Sequence, residues 1–142
     1  MSLLLLIASC TDDDDNNYPK EVSIMGNWRL IEMKGSVPNS TTIGENMEWQ
    51  EIYVFEADST FTKTRVVKDN DSILRQSGTF TTKTENASDF FILKFQEESP
   101  IIATCYEGLE ECLFFTPSGN LKSQYDACDG PGLLYEKFFY TD

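Results

Sequence analysis

The strongest constraint on this chain is a set of short runs in which a large apolar ring recurs at every second residue. In 49–56, WQEIYVFE, Tyr53 and Phe55 fall on one side and Ile52 and Val54 on the other. In 89–96, Phe91, Leu93 and Phe95 oppose Phe90, Ile92 and Lys94. A period of two belongs to a pleated strand, whose successive side chains point to opposite faces. The first such run, 27–34, follows Gly26 and sets Trp28 and Leu30 against Arg29, Ile31 and Met33, with Trp28 as the core anchor.

The pattern repeats along the chain. Strands are expected at 60–67, where Phe61, Lys63 and Arg65 share a face, and at 72–83 with a break at Gly78. Further strands are expected at 101–106, 111–116, 121–125 and 133–140. Turn residues separate them: Ala57-Asp58-Ser59, Pro117-Ser118-Gly119-Asn120 and Asp129-Gly130-Pro131-Gly132. Only 35–46 is a long connection, of the kind that often rims a binding mouth. The expectation is an all-β antiparallel up-and-down meander of about eight strands, closed or nearly closed into a small barrel so that few edges stay bare.

At 142 residues, the chain has room for one domain. Its charge of −13, with no basic cluster, opposes a nucleic-acid partner. The chain contains no histidine, which removes the commonest general base and the commonest metal ligand. Paired acids such as Glu97-Glu98, Glu110-Glu111 and Asp126 with Asp129 read as turn charges, and nothing sets two acids inward together. No enzyme activity, cofactor or metal is expected.

Residues 3–8 form an apolar run ending in Ile7-Ala8-Ser9-Cys10, far shorter than the roughly 20 residues that span a bilayer. The run resembles a bacterial lipoprotein signal, which implies acylation of Cys10. Only Met1 and Ser2 precede the leucines, so 1–10 reads as a truncated signal and lipobox. The run TDDDDNN that follows buries nothing, and 11–24 reads as an acidic tether whose last residues plug an open end of the barrel. Its position resembles the surface-export signal of Bacteroidetes lipoproteins. That resemblance implies outer-membrane anchoring through the lipid alone, on the outer face or alternatively the periplasmic face.

The folded part, 25–142, resembles a lipocalin-like domain of Bacteroidetes lipoproteins. The likeness rests on Gly26-Asn27-Trp28 with Leu30, on Tyr53-x-Phe55 followed by Asp58-Ser59-Thr60-Phe61, and on Gly78-Thr79-Phe80. It extends to a hairpin of Cys112, Leu113, Phe114 and Phe115, the turn at Gly119-Asn120, then Cys128 and Tyr135. Lipocalins place a basic residue from the last strand over the tryptophan, and Lys137 is the candidate here.

Of the four cysteines, Cys10 is assigned to the lipid, which leaves one bridge and one free thiol. Cys112 to Cys128 is the first expectation, although register about the PSGN turn sets Cys112 opposite Tyr125 and requires a bend after it. Cys105 to Cys112, across YEGLEE, is the next.

Trp28, Tyr53, Phe55, Phe61, Phe80, Phe91, Phe114, Tyr125 and Tyr135 are expected to point inward. The simplest outcome is that they fill the barrel. The functional outcome is a pocket at its open end, lined by Trp28, Tyr53, Phe55, Phe61, Arg65, Phe114, Tyr125 and Tyr135. Arg65 is expected outward, in solvent; inward, it would pair with a ligand carboxylate or Glu51. Three readings follow: a binding module for a small apolar or amphipathic ligand, a structural or protein-interaction module of the envelope, or a carbohydrate-binding accessory using Trp49 and Tyr106. Oligomeric state is left open.

Overall fold

The computed structural model describes residues 23–105, 108–128 and 130–141. The lipidation assignment at Cys10, the tether up to residue 22, and Tyr106 lie outside them. Nine strands are described: β1 (Gly26–Lys34), β2 (Thr41–Ile43), β3 (Trp49–Phe55), β4 (Thr60–Val67), β5 (Ile73–Glu85), β6 (Ser88–Phe95), β7 (Glu110–Phe115), β8 (Leu121–Ser123) and β9 (Gly132–Phe138). All pair antiparallel with their neighbours, and β9 returns to β1 to close an eight-stranded barrel carrying β2 as an additional strand. β1 is the seam. Along one edge it meets β9 from Asn27 to Lys34, and along the other it meets β3 with its first half and β2 with its second.

The two-residue period decides which residues enter the barrel. Trp28, Leu30, Tyr53, Phe55, Phe61, Phe80, Phe91, Leu93, Phe95, Leu113, Leu121, Leu133 and Tyr135 are all buried in one cluster. Their rings meet edge to face, as at Phe55–Phe80 and Phe61–Phe95, with centroids 5.2 and 4.9 Å apart, the arrangement that aromatic quadrupoles favour. Ile24 closes one end. Its side chain is buried in the core and its carbonyl accepts the Trp28 indole N–H at 2.8 Å.

The structure corrects several expectations. Met33 points inward, because the pairing of β1 with β9 shifts register between Leu30 and Glu32 and the extra residue reverses the alternation. Strand β5 is not broken at Gly78. That residue pairs with Phe61 and Phe95, and a Cβ there would stand 1.9 Å from the Lys94 carbonyl oxygen and 2.9 Å from the Phe61 ring, so glycine lets the strands approach under the ring. Residues 101–105 are not a strand; they belong to the connection between β6 and β7. Phe114 sits on the outer face beside Phe90, because its neighbour Leu113 takes the inward position.

Neither expected disulfide forms. The bridge joins Cys105 to Cys128, with Cα atoms 5.3 Å apart, and Cys112 is the free thiol. Leu113 pairs with Ser123, so Cys112 stands across from Gln124 with its side chain outside the barrel. The 3-10 turn at Gln124–Cys128 then bends the chain toward the 96–109 connection and Cys105. Serine at both 105 and 128 is expected to cost about 3 kcal/mol through loop entropy returned to the unfolded chain. Urea unfolding would register this as a lower midpoint, whereas Cys112→Ser should leave the midpoint nearly unchanged.

Candidate functional site

Four charged residues enter the barrel among the rings. Strand β3 carries Glu51 two positions before Tyr53, β4 carries Lys63 and Arg65 two and four positions after Phe61, and β7 carries Glu111 two before Leu113. The even spacing places each on the inward face. Lys63 and both carboxylates are almost completely shielded from water. The Lys63 ammonium lies 2.5 Å from Glu111 Oε1 and 3.3 Å from Glu51 Oε1, and Arg65 Nε donates to Glu51 Oε2 at 2.8 Å. The Tyr53 hydroxyl donates to Glu111 and the Tyr135 hydroxyl to Glu51. Two positive and two negative groups cancel, as buried charges must if they are to be tolerated.

The same cluster fastens the β6–β7 connection. Lys63 Nζ donates to the Ile101 carbonyl at 2.7 Å, the Arg65 guanidinium reaches the same oxygen at 3.3 Å, and the Ala103 amide donates to Glu111 Oε1 at 2.8 Å. Ile101 and Ala103 are buried by these contacts. The barrel end is therefore stoppered by its own chain.

Arg65 is thus not the solvated strand residue expected from the sequence. It lies inward, and its guanidinium carbon stands 4.0 Å from the Trp49 ring centroid. The turn charge assigned to Glu111 and the absence of inward acid pairs are likewise overturned, because Glu111 lies inside β7, where the period of two sends it inward with Leu113. Lys63 was the missed residue. Its place between Phe61 and Arg65 on one face was the signal for it.

The proposed pocket residues do not enclose an open space. Trp28, Tyr53, Phe55, Phe61 and Tyr135 are packed core with at most 2% exposure, and Phe114 is outside. Phe114 borders a hollow of about 330 Å³ with Phe90 and Phe115, and Tyr125 lines a larger groove. That groove, about 520 Å³, lies outside the wall of β6 and β7 and is bounded by Ile92, Cys112, Ala103, Leu109, Tyr125 and Ala127, with Lys94 and Glu110 at its polar margin. The Cys105–Cys128 bridge ties its two overhanging walls together. Burial pushes the Cys112 thiol above its ordinary value, partly opposed by Lys83.

A second hollow, about 370 Å³, opens beside Trp49 between the 3-10 turn Gly44–Asn46 and the β4–β5 turn. Trp49 is half-buried, and its indole N–H is the one buried side-chain donor among the described residues with no acceptor. Such a group ordinarily costs about 1–3 kcal/mol. Among the described residues, no cluster of three or more Cys, Asp or Glu side chains is placed to hold a metal ion, and no helix is long and apolar enough to cross a membrane.

Comparison with known proteins finds no matching family model, no matching curated sequence and no matching solved structure.

Breaking the cluster from one side leaves a carboxylate buried without its cation. Lys63→Met is therefore expected to destabilise the fold by about 3–5 kcal/mol in equilibrium unfolding. A second test uses the tyrosines. Burial first, then the Glu111 and Glu51 carboxylates, hold Tyr53 well above the ordinary tyrosine value, and burial followed by Glu51 does the same for Tyr135. The unfolded chain ionises these phenols near pH 10 while the folded chain keeps their protons, so their contribution is intact below about pH 10 and falls as pH rises past it. An alkaline titration should show tyrosinate absorbance from these two residues only as near-ultraviolet dichroism collapses.

Proposed function

We propose that this chain is a non-enzymatic, lipid-anchored module of the cell envelope that binds a small amphipathic molecule in the groove outside β6 and β7. The observation that carries this reading is the groove itself. Its volume of about 520 Å³ falls in the range of small-molecule sites, its floor is the apolar Ile92 and Cys112, and its walls are cross-linked. Lys94 and Glu110 at the margin suit a polar head, and Ile92, Leu109, Ala103 and Tyr125 suit an apolar body.

Attachment at Cys10, on the outer face of the outer membrane, is part of the proposal and rests on the lipobox and the acidic run behind it. The lipocalin-like resemblance gains support from Lys137, whose ammonium lies 5.6 Å from the centroid of the Trp28 ring. Non-enzymatic action agrees with the state of the two buried acids, since each is already engaged by a cation and a tyrosine. One observation favours the interaction-module reading: Phe139 and Tyr140, just after β9, are 79% and 70% exposed.

Titration of the folded chain with the neutral fluorophore N-phenyl-1-naphthylamine is expected to saturate at one site and to slow alkylation of Cys112. Ile92→Glu should weaken that binding about tenfold or more, since even 1.4 kcal/mol of lost apolar contact suffices. Probe binding that ignores Ile92→Glu and leaves Cys112 equally reactive would remove the groove as the ligand site.

A further inference from the structure

We propose that the hollow beside Trp49 is a separate site for a neutral, polyhydroxylated ligand of the size of a sugar ring. Its lining is of a different kind from the groove's. Trp49, Met47 and Val66 supply an apolar patch, and Glu45, Asn46, Gln50, Lys68 and Asp71 surround it. The frame is held from behind: Gln50 Nε2 donates to the Gly44 carbonyl at 2.9 Å, Lys68 Nζ donates to the Glu45 carbonyl at 2.7 Å, and the Lys68 amide donates to the Glu48 carbonyl at 3.2 Å. These bonds tie two lining side chains to the backbone of the 3-10 turn and its flank, so the wall is preorganised rather than fluid.

The hydrogen-bonding capacity left over selects the ligand. Gln50 has used one of its two amide N–H donors and keeps the other together with an accepting oxygen, Glu45 and Asp71 offer carboxylates, and Asn46 offers both a donor and an acceptor, while the buried Trp49 indole N–H finds no acceptor within the protein. A ligand that meets this set must both donate and accept at several points, which a ring of hydroxyl groups does. Two carboxylates against one ammonium disfavour an anion, Lys68 offsets one of the two negative charges, and the polar wall disfavours a hydrocarbon. Arg65, which does not line the hollow, lies with its guanidinium carbon 4.0 Å from the indole centroid and is fixed by Glu51, and the part of Trp49 that lines the hollow is the apolar surface offered to the C–H face of a sugar.

The chain contains two tryptophans, and this supplies an internal control. Trp28 is fully buried with its N–H bonded to the Ile24 carbonyl, so its indole signal reports only on the integrity of the core. Nitrogen-proton correlation spectra of the folded chain would be recorded with D-glucose, D-galactose, N-acetyl-D-glucosamine and cellobiose, each raised toward its solubility limit. At least one is expected to shift the Trp49 indole signal saturably while the Trp28 signal stays in place. Paired Asn46→Ala and Glu45→Ala substitutions, both at exposed turn positions, should raise the apparent Kd by about tenfold. Trp49→Phe should weaken binding while preserving the Trp28 signal. Unmoved Trp49 resonances with all four sugars, affinity unchanged in the turn variants, or an N-phenyl-1-naphthylamine response at Trp49 equal to a sugar's would each overturn the proposal. Naphthylamine binding at the Ile92 groove is read separately through Cys112, so either site can fail without the other.

Discussion

The Lys63 ammonium is the point on which the interior turns. It joins Glu111 on β7 to Glu51 on β3 and holds the Ile101 carbonyl of the connection across the barrel end. An aromatic barrel of this size needs no ion pairs to be stable, and buried pairs of this kind contribute little over well-packed apolar residues. What they provide here is position. A hydrocarbon contact would tolerate sliding of this connection, whereas a carbonyl on an ammonium and an amide on a carboxylate fix it at Ile101 and Ala103.

This stopper has a consequence for where molecules can be held. With the centre filled by rings and the end closed by Ile101 and Ala103, the open volumes described above, among the described residues, lie where connections overhang the strands. Two of these are shaped by covalent or hydrogen-bonded ties: the Ile92 groove by the Cys105–Cys128 bridge, and the Trp49 hollow by the bonds from Gln50 and Lys68 to the 3-10 turn. Recognition at these places, as proposed, would leave the core free to be rigid.

The architecture was legible wherever the period of two ran undisturbed. Tyr53 and Phe55, Phe91 to Phe95, and the 60–67 strand point where the alternation sends them. It misled at the irregularity after Leu30, which reverses Met33, and in β7, where the alternation holds but Leu113 and Phe114 are both apolar and Leu113 takes the inward face. The sequence reads Glu110-Glu111 as turn charges and Arg65 as solvated, yet each inward charge here has partners contributed by distant strands, and sequence spacing does not reveal pairings such as Lys63 with Glu111. The disulfide was missed for a related reason. The path of the chain at 101–103 is set by contacts inside the barrel, so nothing near Cys105 in sequence shows that it meets Cys128.

The seam at β1 has a kinetic meaning. Residues 26–34 find one whole edge of hydrogen bonds only in 132–138, so the barrel cannot shut until nearly the entire chain is present. Pairing at such separation in sequence is slow to nucleate, and a chain delivered from its N-terminus holds an open ribbon edge until the last strand arrives. Until 132–138 is in place, that waiting edge must be kept from finding another chain first.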